Sequence, residues 1–118
     1  MTFDPSAKLV AYHAALDSHD VPKIRAALSE DVTYESPGLG VLSGRAAVLA
    51  SIESYFATSP DHKAWDDRVW NVSDRIAACE WHLKATNSKT AQVVERRGKE
   101  TIVFDAEGLI LSVKVEDL

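Results

Sequence analysis

Arg75-Ile76-Ala77-Ala78-Cys79-Glu80-Trp81-His82-Leu83-Lys84-Ala85-Thr86 is the stretch on which the reading of the fold turns. Side chains alternate across a strand with period two. Taken as a strand, the stretch puts Ile76, Ala78, Glu80, His82 and Lys84 on one face. Ala77, Cys79, Trp81, Leu83 and Ala85 take the other. The second face is apolar throughout, as a packing surface must be. The first begins apolar and becomes ionisable. Such a face either meets water or lines a polar pocket.

The same period extends on both sides. Lys63–Val72, Ala91–Phe104 and Leu109–Val115 also read as strands, separated from Arg75–Thr86 and from each other by Ser73-Asp74, Asn87–Thr90 and Asp105-Ala106-Glu107-Gly108. Short turns between long strands predict an antiparallel meander. Upstream the period changes to that of a helix. Asp4-Pro5 supplies a cap and a first-turn proline, and Leu9, Tyr12, His13 and Leu16 follow at i, i+3, i+4 and i+7. Asp20 and Pro22 open a second helix with Ile24, Ala27 and Leu28 on its inner face. Asp31–Pro37 alternates as a short strand, and Pro37-Gly38-Leu39-Gly40 reads as a turn or loop. Ser43-Gly44 precedes a third helix carrying Val48, Leu49, Ile52, Tyr55 and Phe56 at helical spacing. The order is helix, helix, strand, helix, four strands. It predicts one α+β domain over residues 1–118, with helices on one face of a curved sheet.

Composition narrows the function. At 118 residues and 46% apolar content the chain can bury one sizeable core. A net charge of -5 argues against nucleic acid, whose phosphates demand clustered Lys and Arg. Cys79 is the single cysteine, so no intramolecular disulfide and no zinc pattern arise. No apolar run approaches the roughly 18 residues of a membrane span. Met-Thr-Phe-Asp-Pro lacks the basic-then-apolar pattern of a secretory signal, and the expected location is cytoplasmic.

Four segments together resemble the nuclear transport factor 2-like superfamily, which includes SnoaL-like polyketide cyclases and ketosteroid isomerases. They are Tyr12-His13-Ala14-Ala15-Leu16-Asp17-Ser18-His19-Asp20, Leu28 through Glu35-Ser36-Pro37, Ser43-Gly44-Arg45-Ala46-Ala47, and Phe104-Asp105-Ala106-Glu107-Gly108-Leu109-Ile110. The resemblance implies an α+β cone: three N-terminal helices packed on a curved, mainly antiparallel sheet enclosing a pocket. It implies a small-molecule ligand, no cofactor, and a homodimer formed through the outer sheet face. It is specific for fold and weak for function, since unrelated chemistries share such scaffolds.

Carried over residue by residue, the isomerase pattern matches Tyr12 to the helix tyrosine that donates to a substrate oxyanion. It puts Glu100 where the family has a protonated aspartic acid, the second donor. Ser36 falls at the position of the catalytic aspartate, and a serine cannot abstract a carbon acid's proton unaided. The comparison also turns Ala78, Glu80, His82 and Lys84 inward. On that reading His82 is the base, because imidazole titrates near neutral pH. Glu80, two residues away and roughly 7 Å along the strand, modulates it. Ser36, Arg96, Tyr34 and Tyr55 are the expected substrate contacts. The bland readings compete: a strand histidine satisfied by a neighbour, a core tyrosine, and Glu100 paired with Arg96 or Lys99. His13, His19 and His62 are expected to be exposed or helix-terminal, and Asp66-Asp67 a solvated pair. No metal is expected, for no ligand spacing of a recognised type occurs, and no phosphate loop or nucleophile–His–Asp triad can be read. The apolar row Ala77, Cys79, Trp81, Leu83 and Ala85 is expected on the convex face as the dimer contact. Three functions remain open: an isomerase, dehydratase or cyclase acting on a carbonyl compound by proton transfer, a non-catalytic ligand-binding protein, or a dimeric scaffold.

Overall fold

A computed structural model describes residues 2–118. Helix α1 spans Pro5–Asp17, and the Asp4 side chain caps it by accepting from the Ser6 N–H at 3.2 Å. Helix α2 spans Val21–Ala27, with the Asp20 carboxylate accepting from the Lys23 N–H. Strand β1 (Leu28–Ser36) turns into β2 (Gly40–Ser43), and helix α3 (Arg45–Thr58) follows. Strands β3 (Lys63–Ser73), β4 (Ile76–Thr86), β5 (Val93–Phe104) and β6 (Ile110–Asp117) complete the chain.

The six strands form one sheet in the order β2-β1-β6-β5-β4-β3. The meander β3 to β6 is antiparallel as expected. One feature differs from the expectation, and one adds detail to a sheet that is mainly antiparallel as expected. Gly40–Ser43, which the sequence reading divides between the end of a loop at Gly40 and the lead-in to the third helix at Ser43, pairs with Thr33–Ser36 as a four-residue strand. Four residues are too few to display a period. And β1 runs parallel to β6, so the sheet is mixed. Among the described residues, no helix is long and apolar enough to cross a membrane.

The faces of β4 are the reverse of the expected ones. Ala77, Cys79, Trp81 and Ala85 are buried on the concave, helix-covered side, with Leu83 packed beside them. Glu80, His82 and Lys84 stand on the convex side. The physical reason is parity: a one-residue change of assignment moves every side chain to the other face. Burying the Cys79–Trp81–Leu83 row removes apolar area from water, whereas burying the Glu80–His82–Lys84 row would strand charges. The apolar row is therefore core, and it is not a dimer contact. Leu9 and Ile24 from the helices and Ile102 and Val113 from the sheet close the same core.

Two local devices shape the concave side. A bulge in β3 between Asp66 and Arg68 shifts the pairing with β4 from Asp66↔Trp81 to Arg68↔Glu80. Asp66 thus shares Trp81's inner face and Asp67 lies outside the pairing. Opposite Trp81 on β5 sits Gly98, over which the indole lies. A methyl there would fall 2.7 Å from Trp81 Cε2 and 2.8 Å from the Glu116 carbonyl oxygen.

Candidate functional site

The concave side encloses a cavity of about 460 Å³, within the usual range for small-molecule sites. Its walls are α1 (Tyr12, Leu16), α3 (Ile52, Phe56) and the sheet (Trp81, Leu83), and the β1–β2 turn contributes Leu39. The walls are mostly apolar, so the few polar groups that reach the cavity govern what it can hold.

His13 is the centre of those groups. Its Nδ1 lies 2.7 Å from Asp66 Oδ1, and its Nε2 lies 2.5 Å from Glu100 Oε1. The three side chains come from α1, β3 and β5 and are only 17%, 21% and 8% exposed. Burial works against the charge on His13, but Glu100 and then Asp66 overcome it, and the pKa is raised to about 10. At neutral pH the ring is an imidazolium donating one N–H to each carboxylate. Formally the triad carries one net negative charge. Glu100 Oε2 takes no hydrogen bond among the described residues.

Two phenols flank the triad. Burial and then the Glu100 charge push the Tyr12 hydroxyl well above its ordinary pKa. The same two causes, in the same order, raise Tyr34. Both remain protonated donors, and both border the cavity. Farther along, Tyr55 Oη lies 2.6 Å from His62 Nδ1, and His62 Nε2 lies 3.6 Å from Asp17 Oδ1. Arg96 borders the cavity half-exposed, held by Asp117 at 2.6 Å with its guanidinium 6.0 Å from the Trp81 ring.

Of the expected site residues, Tyr12, Glu100, Ser36, Arg96, Tyr34 and Tyr55 all border this cavity. Ser36 Oγ also accepts from the Leu39 N–H at 3.3 Å, fixing the β1–β2 turn. His82 and Glu80 do not reach it. His82 stacks on Trp65 with ring centroids 4.6 Å apart and bonds Asp67, and its side chain is 42% exposed. Glu80 faces Arg68 at 3.8 Å on the same outer surface. Both follow from the reversed parity of β4. Conversely, His13, His62 and Asp66, expected at the surface, face the cavity. The signal for His13 was in the sequence, since it lies in the same helical stripe as Leu9, Tyr12 and Leu16. Nothing in the sequence marks Asp66, which depends on the edge-strand register.

His13, Asp66 and Cys79 also present metal-ligand atoms within 4.8 Å of one another. Both His13 nitrogens are committed to carboxylates, and burial, then Glu100 and Asp66, push the Cys79 thiol far up. A cation would have to displace protons from both, so the donor set fits a proton better than a metal ion.

Solved structures of the same shape are numerous. A nuclear transport factor 2-like protein of unknown function from Exiguobacterium superposes with a TM-score of 0.84 at 14% identity, covering 94% of this chain and 98% of that one. A Mycobacterium tuberculosis protein solved with estradiol-17β-hemisuccinate gives 0.82 at 18% identity, covering 96% and 93%. SalBIII, an epoxide hydrolase/cyclase-like enzyme with a role in pyran ring formation in salinomycin, gives 0.84 at 20% identity, covering 95% and 88%. Identities this low speak to the fold alone. No curated protein sequence matches. The SnoaL-like domain profile matches residues 9–113, and on that match the chain belongs to the SnoaL-like domain family within the nuclear transport factor 2-like superfamily.

Proposed function

We propose that the cavity binds a small, mainly apolar carbonyl compound and moves a proton on it, as an isomerase, dehydratase or cyclase does. The observation that carries this reading is the Asp66–His13–Glu100 triad set beside two protonated phenols. Glu100 is the base in place of His82. One of its oxygens is fixed by the imidazolium and the other is free to accept a proton. Tyr12 and Tyr34 are the oxygen donors.

The charges balance. A proton leaves the ligand carbon for Glu100 Oε2, and the C–H electron pair forms the enolate. Formal charge on the triad goes from minus one to zero as one negative charge appears on the ligand oxygen. The hydroxyls of Tyr12 and Tyr34 receive that charge. Returning the proton to another atom isomerises the ligand, loss of a β-hydroxyl dehydrates it, and attack on a second carbonyl closes a ring. The steroid ester and the cyclase-like enzyme among the solved relatives support a ligand of this kind.

Exchange of the α-hydrogens of 2-tetralone in heavy water, followed by proton NMR, tests the reading. Glu100→Gln should slow exchange by about 100-fold, within the usual range for a positioned base. Tyr12→Phe and Tyr34→Phe should each slow it by about tenfold. Exchange unaffected by all three refutes the proposal. A second reading is a binding protein without turnover, favoured by the way both His13 nitrogens are already satisfied. Tight binding of the ketone with no exchange would establish it. The homodimer also remains a proposal, now through the convex face that carries Trp65 and Trp70 in place of the buried row. Sedimentation velocity at micromolar concentration decides it.

A further inference from the structure

A second set of titratable side chains borders the same cavity. Asp17 follows His13 by four residues on α1, about 6 Å along the helix axis. Tyr55 comes from the C-terminal part of α3, and His62 from the connection to β3, whose backbone is fixed by the His62 N–H donating to the Ser59 carbonyl at 3.0 Å. The His62 side chain is 9% exposed.

The hydrogen-bond pattern follows from the partners. A carboxylate only accepts, so Asp17, 3.6 Å from Nε2, favours the tautomer with its proton on Nε2. At that distance Asp17 acts as a charge and not as a hydrogen-bond partner. Nδ1 then carries a lone pair, and the Tyr55 hydroxyl donates to it at 2.6 Å. Hydroxyl, imidazole and carboxylate stand in the order that makes a hydroxyl a proton acceptor.

We infer that Tyr55, His62 and Asp17 form a second proton-accepting unit of the cavity, for a ligand with an acidic O–H or C–H whose carbonyl oxygen is held by Tyr12 and Tyr34. This rests on the proposal that the cavity carries out proton transfer on a carbonyl compound. The ligand's bond to hydrogen breaks with its electron pair kept on the ligand. The proton passes to Tyr55 Oη while the phenol's own proton passes to His62 Nδ1. The ligand gains a negative charge, His62 a positive one, and Asp17 faces the new imidazolium.

The two histidines are set for opposite roles. Burial is the main cause that holds His62 below its ordinary pKa. Asp17 on α1 and Asp61 on its own loop oppose that shift, while His19 and His13 reinforce it. His62 is a free base where His13 is an imidazolium. His13 therefore serves as a fixed positive charge holding Glu100, and His62 as the group free to take up a proton.

The test has two arms on the full chain. In the first, α-hydrogen exchange of 2-tetralone is followed in Glu100→Gln, where the first unit is disabled. The remaining exchange should fall as pH drops below about 6.5, where histidine titrates. It should fall at least about tenfold more when His62→Gln or Tyr55→Phe is added. Equal residual exchange with and without those changes overturns the inference, even if the thermal midpoint drops. Glu100→Gln without effect counts against the base of the proposed function, and a rate still lowered by His62→Gln then counts for the second unit. Wild-type exchange no faster than solvent overturns both. In the second arm, nitrogen-15 NMR reads the His62 ring at neutral pH. The Nε2–H tautomer, with an Nδ1 resonance that moves in Tyr55→Phe, is expected. An imidazolium, or a proton on Nδ1, overturns the inference whatever the exchange shows.

Discussion

Replacing His13 by glutamine removes the charge between Asp66 and Glu100 and nearly keeps the volume. The sign of the effect follows from the direction of the shift. A histidine whose folded pKa is raised contributes stability that is fully present below its unfolded value and is lost as pH rises through the folded one. For His13 that window runs from 6.5 to about 10. At about 1.36 kcal/mol per unit, the shift corresponds to an upper limit of roughly 5 kcal/mol. Breaking a buried ion pair from one side costs about 3–5 kcal/mol. The amide of glutamine can still hydrogen-bond one carboxylate. We expect His13→Gln to lose about 2–4 kcal/mol near neutral pH.

The pH dependence separates this from a plain packing defect. The difference between wild type and variant should be largest at or just below pH 6.5 and shrink steadily from there to about pH 10, as first the unfolded and then the folded histidine gives up its proton. Urea unfolding followed by tryptophan fluorescence at a series of pH values measures it. Subtracting the variant curve cancels the titration of lysines and of other tyrosines. A difference that is the same at every pH, or under about 1 kcal/mol at neutral pH, would refute the assignment of a charged His13 bridging two carboxylates.

Gly98→Ala should destabilise by about 1–3 kcal/mol in thermal or urea unfolding, because the new methyl meets both the Trp81 ring and the immobile Glu116 carbonyl. Trp81→Glu should abolish the folded near-ultraviolet circular dichroism and not merely separate a dimer, since the indole is 8% exposed in the core. His82→Ala should leave 2-tetralone affinity within about twofold of wild type, because a half-exposed histidine on the convex face touches no ligand. For His62, whose pKa is lowered, the stability is present above about pH 6.5 and is lost as pH falls through the folded value. His62→Gln should therefore flatten the acid side of the stability profile, the opposite side from His13→Gln.

How much of this could be read from the chain depends on what each feature needs. Helices α1, α2 and α3 announced themselves by local chemistry: Asp4-Pro5, Asp20 with Pro22, and Gly44 before a helical apolar set. The long strands β3 to β6 were visible from period two and their short turns. The four-residue β2 and the parallel β1–β6 contact were not, since both are set by pairing at a distance. The site split along the same line. Tyr12 and Glu100 could be placed because a helix stripe and a family position each carry their own register. The faces of β4 could not be taken from resemblance, and here the chemistry of the strand was the better guide. A row of Ala77, Cys79, Trp81, Leu83 and Ala85 is core by composition alone, and giving it to the outside left His82 in a pocket it does not border. Asp66 is the hardest case. Its inward position beside an outward Arg68 two residues on is created by the β3 bulge, and a bulge breaks the very alternation from which a face would be read. That one irregularity turns a pair of acidic residues, ordinary in sequence, into an inner partner for His13 and an outer one for His82. The centre of the candidate site therefore rests on the part of the strand where period-two reasoning fails.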